Sequence, residues 1–394
     1  MKNLRKTLGF KVVLCWVIFS FFTQIASADV VTTQEGNITT SVLNSDTSSE
    51  GEFDILDGYT HNVVGNGYNW LFTDTSGNAS NISGTLNLHD VFFMLVNQMG
   101  INIGANGRIN AHDANLILST LRITPENFFN KNFEFESGDN AGKIVNNGEI
   151  TSNQLVALIG HAIENNGAVI AQLGKVAFGV GSKVSLTMDP EGLIHVIVTD
   201  PSLLDTIANG ALFKNTGNII ADGGQVVISS AVAKEVYIQA VNNEGVIRAN
   251  SIDDKAGRIV IKGNKEVRIG GKSVISADMT SGLQDSGTSG LPRIDIQSGD
   301  AVIIEDNAVV SANAVDNSDA GYINIDGHKR GVLIRDNAKV LAKGADINSN
   351  AGRVFINSFH DIENPEQIID GYIQGNHGFI ADNAVIDASG GDKN

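Results

Sequence analysis

Cysteine is almost missing from this 394-residue chain, which has one, and proline (5), aromatic residues (6%) and charged residues (18%) are also scarce. A single cysteine excludes a disulfide framework. The 27 basic residues stand against 44 acidic ones, a formal net charge of −17, which argues against nucleic acid as a partner because neutralising phosphates takes clustered cations. Glycine follows no three-residue period, so collagen is excluded. No run is long and apolar enough to cross a bilayer, which takes about 20 residues. Against these absences stand 43 glycines and 42% hydrophobic residues, too apolar a mixture for a disordered chain. Many valines and isoleucines with little charge suggest stacked short strands.

The first 28 residues read as an address. Lys2, Arg5, Lys6 and Lys11 precede an apolar stretch over 12–22, and Ala26-Ser27-Ala28 supplies small residues before Asp29. This is the three-part layout of a secretory signal peptide, and its apolar part is too short for a membrane anchor. Cleavage after Ala28 removes Cys15 and leaves 366 residues without cysteine, compatible with passage unfolded through an oxidising compartment. Because the four basic residues go with the signal, the net charge moves from −17 to about −21.

From about residue 206 to 394 the chain repeats itself. Gly224, Gly257, Gly290, Gly321 and Gly352 each open a strand-like phrase such as Gly257-Arg258-Ile259-Val260-Ile261, and they are separated by 33, 33, 31 and 31 residues. A second phrase recurs as Asp306-Asn307-Ala308-Val309-Val310, Asp336-Asn337-Ala338-Lys339-Val340 and Asp382-Asn383-Ala384-Val385-Ile386. Each unit holds three short strands with period-two alternation; in one they fall at 258–262, 266–269 and 273–277, followed by a polar loop over 281–290. Glycine and asparagine are expected at corners that need positive φ. Three strands per unit describe an all-β, right-handed parallel β-helix, a solenoid with Ile259, Ile261, Val267 and Ile269 stacking inward as aliphatic ladders. A β-propeller, the main rival, needs four antiparallel strands and about 40 residues per blade.

Residues 29–205 are less regular and carry the informative motifs. Ile82-Ser83-Gly84-Thr85-Leu86 leads to Phe92-Phe93-Met94-Leu95-Val96-Asn97-Gln98-Met99-Gly100-Ile101. Further on come Arg108-Ile109-Asn110, then Asn115-Leu116-Ile117-Leu118-Ser119-Thr120-Leu121-Arg122-Ile123, and finally Ile163-Glu164-Asn165-Asn166-Gly167. This order resembles the N-terminal secretion domain of filamentous haemagglutinin and related two-partner secretion exoproteins. Gly84, Leu86, Phe93, Asn97, Gly100, Ile101, Ile109, Asn110, Ser119, Thr120, Ile123, Asn165 and Gly167 fall on that family's motif positions. The resemblance covers about 50–190. Where the family has Asn-Pro-Asn-Gly-Ile this chain has Asn97-Gln98-Met99-Gly100-Ile101, losing the fixed φ of proline and an asparagine that could cap the turn. The insert over 125–138, with Phe128, Phe129, Phe133 and Phe135, is expected to form an extra-helical hairpin that packs its phenylalanines on the shaft.

The resemblance implies three segments: a signal peptide (1–28), a secretion domain (29–205) and β-helical repeats (206–394). It also implies export through the periplasm to the exterior or surface of a Gram-negative cell, by an outer-membrane β-barrel transporter with POTRA domains. Asn97, Gln98, Met99, Gly100, Ile101, Asn115, Leu116, Ser119 and Thr120 become the candidate transporter-recognition residues. Adhesin-like architecture would take a host-cell or neighbouring-cell surface glycan or protein as its ligand. Two other readings compete, a β-helical polysaccharide-active enzyme and the shortened stalk of a contact-dependent toxin. The enzyme needs converging acids. Asp253-Asp254, Asp295 with Asp300, Glu305-Asp306 and Asp316 with Asp319 are the candidates, mostly expected to be solvated turn residues. The eight histidines are dispersed singly, no nucleophile elbow occurs, and no calcium-binding nonapeptide repeat appears, so neither catalytic residue, metal nor cofactor is expected.

Overall fold

The repeated phrases become rungs of one right-handed parallel β-helix. The computed structural model describes residues 25–26, 29–202, 211–233, 239–252, 255–279, 290–315, 318–345, 349–358 and 379–390. The expected signal peptide therefore lies outside the described residues, apart from Ile25–Ala26, which pairs antiparallel with Val31 and Thr32. Three sheets of 14, 11 and 10 strands run along the shaft, and each coil visits the 10-, the 14- and then the 11-stranded sheet. One coil, for example, is Ile163–Asn165, Ala168–Ala171 and Lys175–Val180. An antiparallel hairpin, Val30–Glu35 with Ile38–Leu43, closes the N-terminal end, and its second strand pairs in parallel with Thr60–Val64. The same three sheets continue on both sides of residue 205.

Alternation sets the core. The predicted unit folds as Arg258–Gly263, Glu266–Ile269 and Val274–Ser276, and Ile259, Ile261, Val267 and Ile269 are fully buried. On the 14-stranded sheet Ile150, Val169, Ile219, Ile247, Ile275 and Val310 lie in register, one per coil. Burying each such side chain contributes about 1.5–3 kcal/mol relative to leaving it in water.

The glycines that open the repeat phrases work differently from expectation. Gly224, Gly257, Gly321 and Gly352 do not have positive φ. A Cβ there would instead lie 1.9 Å from the Gly174 carbonyl oxygen, 1.4 Å from that of Ala249, 2.4 Å from that of Pro292 and 2.3 Å from that of Gly321. Gly224, Gly321 and Gly352 permit close stacking of coils, and Gly257 a close approach within its own. Gly290 meets nothing within 4 Å, and the loop expected after 280 lies almost wholly outside the described residues. Positive φ falls on the asparagines of the second phrase, Asn307 (67°) and Asn337 (60°).

A polar column runs through one corner of the core. Asn146 Nδ2 donates to Asn165 Oδ1, Asn165 Nδ2 to Asn215 Oδ1 and Asn215 Nδ2 to Asn243 Oδ1, each at 2.7 Å with all four residues fully buried. Beside it stands a glycine column, Gly148, Gly167, Gly217 and Gly245, where any Cβ would come within 2.0–2.3 Å of a carbonyl on the preceding coil. The recurring Asn-x-Gly pattern is thus one device: the asparagine satisfies itself coil to coil, and the glycine lets the coils approach.

The insert over 125–138 is not a hairpin by itself. Pro125–Phe129 is a short helix, capped by Thr124 Oγ1 accepting from the Asn127 N–H, and Phe133–Glu136 is a single strand. That strand pairs antiparallel with Lys183–Met188, which pairs in turn with Ile194–Asp200, making a three-stranded satellite sheet. Phe128 and Phe135 are buried with Met94, Ile117 and Ala157, so the phenylalanines do pack on the shaft as expected. Locally the strand is held only at Glu136, which bridges antiparallel to Arg122, and Lys183–Met188 further along the chain completes it.

Candidate secretion-motif corner

The predicted motif residues gather where the 11-stranded sheet turns into the 10-stranded one. Phe92–Val96 and Asn115–Ser119 are neighbouring rungs, with Val96 beside Ser119. The Asn97 N–H donates to the Ser119 carbonyl at 2.9 Å, which joins the two halves of the motif on successive coils.

Asn97 is 1% exposed and fully used. Its Nδ2 donates to the Asn78 carbonyl and to Ser80 Oγ, both at 2.9 Å, and its Oδ1 accepts the Met99 N–H at 2.8 Å. Ser80 Oγ passes a hydrogen bond to Asp74 Oδ2 at 2.5 Å, and Asp74 also accepts the N–H groups of Phe53 and Ser76. The Gly100 N–H closes the turn on the Asn97 carbonyl at 3.1 Å, and Gly100 has φ 131°. Asn97 caps the Met99 N–H, and the Ile101 N–H that an asparagine at 99 could have capped goes to the Lys143 carbonyl at 3.1 Å, so the turn persists with Gln98 and Met99 in it.

Burial divides the motif sharply. Asn97, Gly100, Ile101, Leu116, Ser119 and Thr120 are buried, Gln98 and Asn115 are half-buried, and Met99 alone is exposed, at 42%. Leu116 is an inward rung between Phe93 and Val156. Asn115 Oδ1 accepts the Leu155 N–H at 3.3 Å, and Ser119 Oγ both donates to and accepts from the backbone of Leu121. Gln98 Oε1 is buried without a partner and lies 1.6 Å from where a Cβ on Gly138 would sit, so Gly138 makes room for it.

His161 is a member of this corner that carries no motif signal in the sequence. It is 1% exposed, its N–H donates to Thr120 Oγ1 at 3.4 Å, and its ring nitrogens lie 3.0 Å from Ser137 Oγ and 3.4 Å from Ser202 Oγ. Burial lowers its pKa, favouring the neutral ring, with one nitrogen able to donate and the other to accept. It ties the corner to the ends of both excursions that build the satellite sheet.

Among the described residues, most of the acidic candidates are taken up by arginines or backbone N–H groups. Asp295, in the strand phrase that Gly290 opens, sits mid-strand at 4% exposure and accepts from Arg293 Nε and Nη2 at 2.7 and 2.8 Å. An arginine at the same outward face neutralises it. Asp300 pairs with Arg330 at 2.8 Å, Glu305 lies between Arg268 and Arg335, and Asp319 holds the Asn350 N–H at 2.7 Å. Asp253, Asp254 and Asp316 lie outside the described residues. Among the described residues no three His, Cys, Asp or Glu side chains form a metal-binding group.

Stacked aliphatic ladders, arginine-matched acids and a hydrogen-bonded corner define a structural shaft of the exoprotein kind. The family follows from comparison: residues 35–277, more than half of the chain, match the TPS secretion domain, and the chain belongs to that family. It is an exoprotein of a two-partner secretion system, exported through the periplasm to the surface or exterior of a Gram-negative cell, and its family implies a cognate outer-membrane transporter. The crystal structure of the HMW1 secretion domain from Haemophilus influenzae is similar over 92% of this chain and 96% of that one, with a TM-score of 0.67 and 22% identity, a likeness of fold. Comparison with curated proteins gives no match.

Proposed function

We propose that the chain is an adhesin-like surface shaft whose 29–205 segment is engaged by a β-barrel transporter through its POTRA domains, and that the 97–101 and 115–120 motif acts while the chain is extended. The burial of six of the nine motif residues carries this reading, since a partner meeting the folded corner could touch little more than Met99. In the extended chain all nine are accessible. Parallel pairing between distant segments folds slowly, which keeps the chain threadable before it crosses. Outside, each coil forms on the edge of the one before, and burial of the ladders biases movement outward. The shaft that results presents its repeats to a glycan or protein on another cell.

Deleting 82–123, which removes both halves of the motif, is expected to abolish release across the outer membrane while cleavage at Ala28 proceeds. Immunoblots of periplasmic and extracellular fractions read both steps. Normal amounts of the deleted chain outside the cell would overturn the reading.

A further inference from the structure

Several acids on the later coils are matched by arginines: Asp295 by Arg293, Asp300 and Glu266 by Arg330, Glu305 by Arg268 and Arg335. One strip of the same surface differs. Lys262, Gln297 and Asp326 follow one another in register on successive coils, with Ser229 at the start of the column, and none of these four side chains makes a hydrogen bond or ion pair within the described residues. Lys262 and Asp326 are two coils apart, roughly 10 Å at the strand spacing, too far to neutralise each other. Beside this column runs a second of small residues, Ser230, Gly263, Ser298 and Gly327, of which the first three line the groove. Val198 of the satellite sheet walls one end and His328 is part of the lining. The result is an open groove of about 470 Å³ that crosses the coils along the shaft, within the size range of ligand sites.

We propose that this groove binds an extended saccharide chain lying along the shaft axis. This rests on the adhesin-like reading above and gives that reading a site. The groove offers an ammonium, an amide, a hydroxyl and a carboxylate, the mixed donors and acceptors that a polyhydroxylated ligand uses. They recur at the coil rise of about 4.8 Å, which is close to the length of one pyranose unit in an extended glycan. A peptide fits less well, because strands crossed at right angles offer it no backbone ladder and the floor has no apolar pocket for side-chain anchors. Asp326 is the one carboxylate in the lining, and glycoside hydrolysis ordinarily takes two, so the groove holds its ligand without cleaving it.

The test uses the secreted chain on an immobilised panel of linear hexasaccharides, neutral and uronate-containing, beside a random peptide library. Lys262→Ala with Asp326→Ala is compared with Lys339→Ala, an exposed lysine on a different sheet. The wild type is expected to bind a subset of the saccharides, and the double variant to bind them about tenfold more weakly or worse with an unchanged thermal midpoint, while the Lys339 variant matches the wild type. Three results overturn the proposal: saccharide binding that the double variant retains, wild-type binding to the peptides alone, or no saccharide binding at all. Cell adhesion measured on the same variants separates the two readings. Adhesion retained by the double variant removes the groove but keeps the adhesin-like shaft, and a wild type that does not adhere removes the shaft reading.

Discussion

The outward face of the 11-stranded sheet has two lives along the shaft. From Leu71 through Met94, Ile117, Ala157, Ala177 and Val227 to Val260, its central column is apolar and buried. The satellite sheet and the short helix cover this stretch with Phe128, Phe135, Val184, Leu186, Ile194 and Val196. On the very next coil the column changes to Asp295 and then Asn324. Inward residues do not change with it, since Ile259, Ile294 and Ile323 continue the same buried ladder. A β-helix thus needs one apolar face for its own fold, and a second apolar face reports what lies on top of it. The covered coils are rigidified from both sides, and the bare ones remain free to carry charge and the polar groove.

Placing a charge in this column should break the comparison most clearly. Ile117→Asp buries a carboxylate under the cover with no cation beside it and should cost about 4 kcal/mol or more, enough to abolish surface display. Asn324→Asp also puts a carboxylate in this column, but on a bare coil where the side chain is half-exposed, polar from the start and already accepting from Asn357 Nδ2, and should cost under about 1 kcal/mol. Immunoblots of surface and extracellular fractions read the first effect, and chemical denaturation of both chains, purified and refolded, gives the two numbers. Equal effects would mean that the cover does not dry the face beneath it.

This difference is also where the sequence was legible and where it was not. The coils could be read because each repeats its neighbour, so a strand at 258–263 announces the next at 293–298. Apolar residues at both parities, as in Leu155-Val156-Ala157-Leu158-Ile159, signal a face covered on both sides. The cover itself was only half visible. Four phenylalanines pointed to packing on the shaft, but the pairing of Phe133–Glu136 with Lys183–Met188 depends on contacts that no local pattern encodes. The motif residues were recognisable by kind, whereas His161 was not, because its partners Ser137 and Ser202 lie 24 and 41 positions away. Gly224, Gly321 and Gly352 matter for crowding against the preceding coil and Gly257 for crowding against its own, which is invisible until the coils are built.

A second contrast lies within one corner of the covered half. Asn165 is a fully buried member of the asparagine column, and its neighbour Asn166 points outward, donating to Asn147 Oδ1 at 3.0 Å on an exposed ladder. Asn165→Ala leaves the Asn146 amide with only the Ala168 carbonyl at 3.2 Å and the Asn215 side-chain carbonyl without the Asn165 donor, both sealed from water. The expected loss is about 3 kcal/mol. Asn166→Ala should change stability by no more than about 0.5 kcal/mol, because water replaces the lost partner. Urea midpoints measured side by side sharpen the point: identical hydrogen bonds on the two sides of one corner differ in worth only through burial.

The most gradual effect, spread over a pH range, concerns the N-terminal coils, whose core is the most aromatic part of the shaft. His61 packs there against Phe53 at 5.9 Å and Trp70 at 6.5 Å, with Nε2 3.0 Å from Ser41 Oγ on the closing hairpin. Burial pulls its pKa down to about 4 from 6.5. In the window between those values the unfolded chain binds a proton that the folded one refuses, so stability falls as pH falls. The contribution is intact above pH 6.5 and is lost progressively down to about pH 4, at most about 3 kcal/mol. His61→Phe removes this titration and keeps a ring in the cluster, so its unfolding free energy should decline less steeply than that of the wild type across the window, while Ile275→Val on the aliphatic coils leaves the slope untouched. Parallel slopes for His61→Phe and the wild type would show that the ring is reached by water and that the hairpin does not seal this end of the shaft.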